Sequence, residues 1–366
     1  MTADLPVRDA QSELRDATCQ YLNDLAEGAF YLGCLDQAAL AMEKAIAEAE
    51  QGGPNNPVLP DMLNRLGTLY YYQGKYHDAE SQFRRAVTLL EKAGREKAVD
   101  LGQVFYNLGG LYKSQGKCAE AELAYKRALE IWTEELGPDH PDIALVLSSL
   151  GEIAMKLGRM PEAFYGLQRA LRLLSARKVE DWNTLAVLQT LARFYVAQER
   201  LSEAEPILWR VLELRKALQG DEHPKVAVAL TEIATMYRKQ GKFASAEPLF
   251  RLALSIQEKV LGPKHPDFLH TVTELAELYR AQGQYSQAEP LLRLALAAFE
   301  EALGSEHPQV VARLEDYAGI LRTMRRVPEA ETLEARVRSI RTKRGIVRSS
   351  PTPEPNTSMS VRAANI

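Results

Sequence analysis

Tyr237–Pro266 reads YRKQGKFASAEPLFRLALSIQEKVLGPKHP, and Tyr279–Pro308 reads YRAQGQYSQAEPLLRLALAAFEEALGSEHP, 42 residues further on. A fixed period of this size marks a stack of units that pack on their neighbours, not one globular core. Outward from this pair, the register follows a Gly-Lys-like dipeptide. It stands at Gly74-Lys75, Gly116-Lys117, Gly158-Arg159, Gly241-Lys242 and Gly283-Gln284, with Glu199-Arg200 and Arg325-Arg326 in the equivalent places. A fainter copy at Gly33-Cys34 makes eight units.

Each unit places small residues where two helices must approach. On the first helix they are Ala26, Gly67, Gly109, Gly151, Ala192, Ala234, Ala276 and Ala318. On the second they are Ala38, Ala79, Ala121, Ala163, Ala204, Ala246, Ala288 and Ala330. Large apolar residues follow four positions later, as in Phe83, Tyr125, Leu167 and Phe250, and small or β-branched ones three beyond that, as in Ala86 and Val211. Offsets of i, i+4 and i+7 define one helical face. The Gly of the dipeptide suits the left-handed position that ends the first helix.

This small-large-small pattern, with Leu66-Gly67…Tyr70 and Ala79…Phe83…Ala86, resembles the tetratricopeptide repeat. The 42-residue form, with its QGKY-like turn, AEP triplet and terminal LG-x-x-HP, is similar to the kinesin light chain type of repeat. The resemblance covers about residues 18–340 and implies an all-α, right-handed α-solenoid of about eight helix pairs. Residues 1–17 read as a lead-in, and 341–366 as a Pro/Ser/Thr-rich, disordered tail. A kinesin light chain proper is not expected, because that family carries a long heptad coiled coil ahead of its repeats.

The net charge of −4 implies no bulk attraction to nucleic acid or anionic membrane. Three cysteines, Cys19, Cys34 and Cys118, lack CxxC spacing and even pairing, which suits reduced thiols in a cytoplasmic protein. No signal peptide and no run of about 18 apolar residues is found.

Four of the six histidines recur in His-Pro pairs, at His140, His223, His265 and His307. Equivalent residues of packed helices lie at least ~8 Å apart, too far to share a zinc ion. Proline at the first helical position instead makes each His a cap. Asp181-Trp182 falls near where the fourth unit lacks the pair. Pro206, Pro248 and Pro290 are expected near the first turn of the second helix, where a missing N–H is tolerated. No P-loop, GxGxxG, HExxH or GxSxG occurs. The expectation is therefore no enzyme, no cofactor and no metal. Asn356-Thr357-Ser358 is a chance glycosylation match.

The resemblance places the first helices on the concave face. There, Arg238, Arg280 and Arg322 form a row spaced by 42, suited to carboxylates. Earlier members of the row are Tyr71 and Lys113, and Arg193 directly follows Ala192. Tyr72, Tyr106 and Asn107 lie nearby, and aromatic anchors are typical interface hot spots. Glu232, Glu274, Glu277 and Asp316 are placed to neutralise the arginines, an alternative that stands beside ligand capture. The carboxylate clamp known for chaperone-binding members needs a Lys/Asn set of which only Asn107 is present. Arg336, Arg338, Arg341, Lys343, Arg344 and Arg348 form a basic segment, read as a solvated helix end. The expected function is a scaffold or adaptor that holds a peptide segment of another protein, acidic with an aromatic anchor. The alternative is a peptide- or ligand-sensing regulator of a partner enzyme or transcription factor. Its partners are other proteins, with no nucleic acid and no membrane span expected.

Overall fold

The structure is a computed structural model that describes residues 10–53, 56–175 and 181–343. Among these, sixteen α-helices and one 3₁₀ turn are present, with no strand. The pairs are α1 (Ala10–Tyr31) with α2 (Leu35–Gln51), α3 (Leu59–Tyr72) with α4 (Tyr76–Ala93), α5 (Ala98–Ser114) with α6 (Cys118–Leu136), and α7 (Pro141–Lys156) with α8 (Met160–Ser175). They continue as α9 (Trp182–Ala197) with α10 (Leu201–Gln219), α11 (Pro224–Lys239) with α12 (Phe243–Leu261), α13 (Pro266–Ala281) with α14 (Tyr285–Leu303), and α15 (Pro308–Thr323) with α16 (Val327–Lys343). This is an all-α solenoid of eight helix pairs. Two compact units divide the chain, one ending at Leu214 and the other beginning at Arg215. The expected tail from 344 on and the first nine residues lie outside the described residues, as do Arg344, Arg348 and the Asn356 motif.

Each pair is held by the small-to-large contact that the period marks. A Cβ on Gly67 would lie 2.7 Å from the Phe83 ring, one on Gly109 2.6 Å from Tyr125, and one on Gly151 3.0 Å from Leu167. The second-helix alanines Ala38, Ala79, Ala121, Ala163, Ala246 and Ala288 are fully buried. First helices of neighbouring pairs also touch, as α7 does α9.

Between helices of a pair, the chain turns through one recurrent hydrogen bond that spans five residues. Examples are Lys75 N to Tyr70 O at 2.9 Å, Arg159 N to Ala154 O at 2.8 Å and Lys242 N to Tyr237 O at 2.9 Å. This turn needs a left-handed residue, and Gly74, Gly116, Gly158, Gly241 and Gly283 supply it with φ of 73–76°. Glu199 and Arg325 adopt the same conformation, with φ of 56° and 61°. The neighbouring packing forces on them a backbone that L side chains resist.

The caps follow the same economy. Imidazole Nδ1 accepts from the amide two residues on in His140, His223, His265 and His307, at 3.1–3.3 Å. Asp181 does the same for α9, accepting from Asn183 N at 3.1 Å and Thr184 N at 3.0 Å. Carboxylate replaces imidazole at an unchanged position. The prolines differ from expectation. Pro206, Pro248 and Pro290 are sixth in their helices, one turn deeper than the free N–H groups. All three face solvent, where the carbonyl that each leaves without a helical donor can bond water.

Neighbouring pairs are latched through the Glu of the recurring Ala-Glu dipeptide. Glu80 accepts from Tyr112 Oη at 3.0 Å, and Glu247 from Tyr279 Oη at 2.9 Å. Glu289 takes Tyr317 and Arg326, and Glu122 receives both Arg159 amino groups at 3.1 and 2.6 Å. Hydrogen bonds from Arg159 and Lys126 hold the Glu122 carboxyl down at about 2.

The strain at Glu199 and Arg325 can be measured. Glu199→Gly and Arg325→Gly should each raise stability by about 0.5–1 kcal/mol, read as a higher melting temperature by circular dichroism. Gly241→Glu should lower it.

Candidate peptide-binding face

Within the first compact unit, the first helices bring aromatic and charged residues into one continuous run. Phe30, near the end of α1, lies with its ring centroid 5.8 Å from that of Tyr72, and Tyr72 is 5.5 Å from Tyr71. Tyr71 Oη is 2.8 Å from Ser114 Oγ, at the end of α5. Beside Ser114, Lys113 Nζ donates to Glu152 Oε2 of α7 at 2.7 Å. The other Glu152 oxygen accepts from Thr190 Oγ1 at 3.1 Å and from Arg193 of α9. Tyr72 and Arg193 are exposed, and Tyr71 and Lys113 are half-buried. A pocket of about 240 Å³ opens beside Phe30, lined among others by Ala26, Glu27, Met42, Asn64, Arg65 and Leu69.

Glu152 is the electrostatic centre of this run. Burial pushes its carboxyl up, but the charges of Lys113 and Arg193, with hydrogen bonds from Lys113 and Thr190, outweigh burial and hold it below its ordinary value. One anion thus serves two cations, which leaves this cluster of three with one positive charge over. Tyr106 and Asn107 take other roles. Tyr106 packs its ring 5.5 Å from Tyr125 and 5.9 Å from Trp132. Asn107 Nδ2 donates to Asn64 Oδ1 at 2.8 Å.

In the second compact unit, the row of arginines meets acids at every step. Arg238 Nη2 reaches Glu274 at 3.0 Å, and Thr235 Oγ1 donates to the same oxygen at 2.9 Å. Arg280 Nε donates to Glu277 at 2.9 Å. Arg322 forks onto Glu334 at 2.5 and 2.7 Å, so Glu334, which stands where other copies carry a large apolar residue, has a structural partner. Asp316 pairs with Arg313 at 3.4 Å. Each arginine of this row thus has an acidic partner. The basic end of α16 is likewise occupied: Arg336 meets Glu300 at 2.5 Å, Arg341 meets Glu315 at 2.7 Å, and Lys343 meets Glu306 at 2.8 Å.

Sequence reasoning named Tyr71, Tyr72, Lys113 and Arg193 but missed Glu152 and Ser114, which join them. Glu152 directly follows Gly151, as Arg193 follows Ala192, so its place on the inner row was readable; its bonding to two cations was not. Among the described residues, no cluster of His, Cys, Asp or Glu could hold a metal, and no helix is long and apolar enough to cross a membrane.

Comparison with known proteins bears on this arrangement. A family model described as tetratricopeptide repeat matches residues 17–92, 100–176, 142–217, 183–259 and 267–343, and a second of the same description matches 64–132. The chain belongs to the tetratricopeptide repeat family. Among solved structures, the tetratricopeptide array is similar to the nearly identical TPR-like repeats of a Podosopora anserina protein named for the kinesin light chain. The two are 29% identical over 56% of this chain and 98% of that one, with a TM-score of 0.50. It shares its fold with a Rap protein complexed with Competence and Sporulation Factor, 17% identical over 92% of this chain and 99% of that one, TM-score 0.55. It also shares it with aspartyl phosphate phosphatase F from Bacillus subtilis, 14% identical over the full length of both, TM-score 0.57. A comparison with curated proteins gives no match.

The sign of the Glu152 shift gives a pH prediction. A carboxyl held low in the fold contributes stability that is complete above its ordinary value of 4.5 and is lost as pH falls through the folded value. Glu152→Gln should cost about 2 kcal/mol at pH 7 by leaving Lys113 and Arg193 facing each other. In thermal melts, the gap between the two proteins should close in acid.

Proposed function

We propose that this tetratricopeptide array is a protein-interaction scaffold that holds a peptide segment of a partner along the first-helix face of its first compact unit. The observation that carries this is the continuous run from Phe30 through Tyr72, Tyr71 and Ser114 to Lys113, Glu152 and Arg193. Aromatic rings at one end offer area to an apolar side chain. Two cations sharing one carboxylate at the other leave room for a second anion. The matching peptide carries an aromatic or large apolar residue followed by Asp or Glu. Tyr106 and Asn107 support the face from behind. Arg238, Arg280 and Arg322 add little to ligand charge, since each already has an acid.

Preformed helices present the site, so the receptor loses little entropy on binding. The reading involves no catalytic step. Free thiols at Cys19, Cys34 and Cys118 suit the cytoplasm. The alternative, a ligand-sensing regulator, draws support from the Rap protein of the same fold, whose structure contains Competence and Sporulation Factor.

Fluorescence anisotropy with synthetic peptides tests the proposal. A labelled peptide of Trp flanked by Asp and Glu should bind, and its Lys-flanked counterpart should not. Arg193→Glu and Tyr72→Ala should each weaken binding about tenfold or more, as expected for hot-spot residues, with helicity unchanged. Equal binding of both peptides, or indifference to both substitutions, would overturn it.

A further inference from the structure

The first helix exposes a face that most later first helices bury; of the residues equivalent to Tyr21, Leu25 and Gly28, only Leu150, Arg313 and Tyr317 are half-buried. Tyr21 and Leu25 of α1 are 67% and 50% exposed, and Leu32, just beyond it, is 81% exposed. At the position of Tyr21, later copies place Met62, Val104, Val146, Val187 and Ala229, all buried. At that of Leu25 they place Leu66, Leu108, Leu191, Ile233 and Leu275, also buried. These are the positions through which one pair meets the preceding one. Phe30 points the opposite way, toward the pocket, so this face is separate from the peptide run.

Gly28 adds a second, independent observation. Later copies carry Leu69, Leu111, Ile153, Phe194, Met236 and Leu278 there, each buried. In α1 the position is glycine, and a Cβ built on it meets nothing within 4 Å. Glycine inside a helix costs up to about 1 kcal/mol relative to alanine, a cost that close approach of another backbone would offset. Tyr21, Leu25, Gly28 and Leu32 follow the alternating spacing of four and three that forms a helix-packing seam.

We propose that this seam is a self-association surface, and that its occupant is α1 of a second copy, packed antiparallel about a two-fold axis. A two-fold contact must be self-complementary, and this one is. Centred between Leu25 and Gly28, the antiparallel register sets each Leu25 over the Gly28 of the second copy and each Tyr21 against its Leu32. The seam itself carries no charge. Asp24, on its flank, accepts a hydrogen bond from Gln20 at 2.8 Å and lies opposite the uncharged Ala29 of the second copy, so no like charges meet. Head-to-tail addition has no matching surface. Among the described residues, α16 exposes Glu331, Thr332, Arg338 and Thr342, with Val327 its one exposed large apolar residue. A polar outer helix of that kind ends a stack.

Sedimentation equilibrium of the full chain tests this at about 100 μM, where a micromolar dimer is almost fully populated. The wild type should show twice the 40.9 kDa chain mass. Leu25→Glu and Gly28→Lys should each weaken self-association at least tenfold. Circular dichroism should be unchanged, because Gly28 has no side chain to lose and Leu25 is half exposed. A monomeric wild type, or a dimer indifferent to both substitutions, would overturn the proposal. So would a mass that grows beyond two chains with concentration, since that requires an open, head-to-tail contact.

Discussion

The approach of a small residue on one helix to a large one on its mate is the constraint on which the rest of this protein depends. Where Gly109 faces Tyr125 there is no room for a single additional carbon. That closeness fixes the depth and rotation of each pair, and with them which residues remain for other tasks. The turn, the cap and the latch glutamate repeat because the contact repeats. Glu199 and Arg325 measure its strength: both take a left-handed backbone that glycine would adopt more easily, which the packed pair on either side imposes.

The periodic contact also sorts side chains by direction. Residues next to the small position face away from the mate helix, and there the copies diverge. Tyr71 and Lys113 stand four residues after the small position and Glu152 and Arg193 one after it, a turn apart on successive first helices, and they meet because the copies stack. In the second compact unit the same positions carry arginines, but they meet acids. The two units thus use one geometry for different electrostatic ends, with shared and therefore incomplete neutralisation in the first and one acid to each arginine in the second.

Much of this was legible in the sequence. The period, the eight pairs, the left-handed turn residues and the capping histidines follow from local rules, each needing only a few neighbouring letters. The capping role of Asp181 was also within reach, since its place matches that of His-Pro. Charge partners were legible only in part: Glu274 and Glu277 stood among the acids placed against the arginines, but which acid each arginine takes was not. Arg238 finds its acid 36 residues later, Arg322 finds one 12 later, and Arg280 finds one three residues before it. Side chains this long choose among several acids within reach, and nothing periodic fixes the choice. The depth of Pro206, Pro248 and Pro290 was misjudged because the proline rule concerns hydrogen-bond supply, and a water-facing helix wall tolerates the loss one turn further in.

The likeness of Tyr237–Pro266 and Tyr279–Pro308, identical at 17 of 30 positions, carries a consequence for how such a chain changes length. Caps, turns and latches are all made within a copy or with the next one along. A recombination that joins the first stretch to the second therefore removes 42 residues and restores every kind of contact at the junction. Its reciprocal adds 42 on the same terms. Insertions inside a helix pair shift the small residues off the large ones, whereas the link between pairs absorbs a residue, as the step of 41 from Gly158 to Glu199 shows. The number of copies is thus a freely heritable quantity, quantised in single pairs, while the spacing within a copy is not.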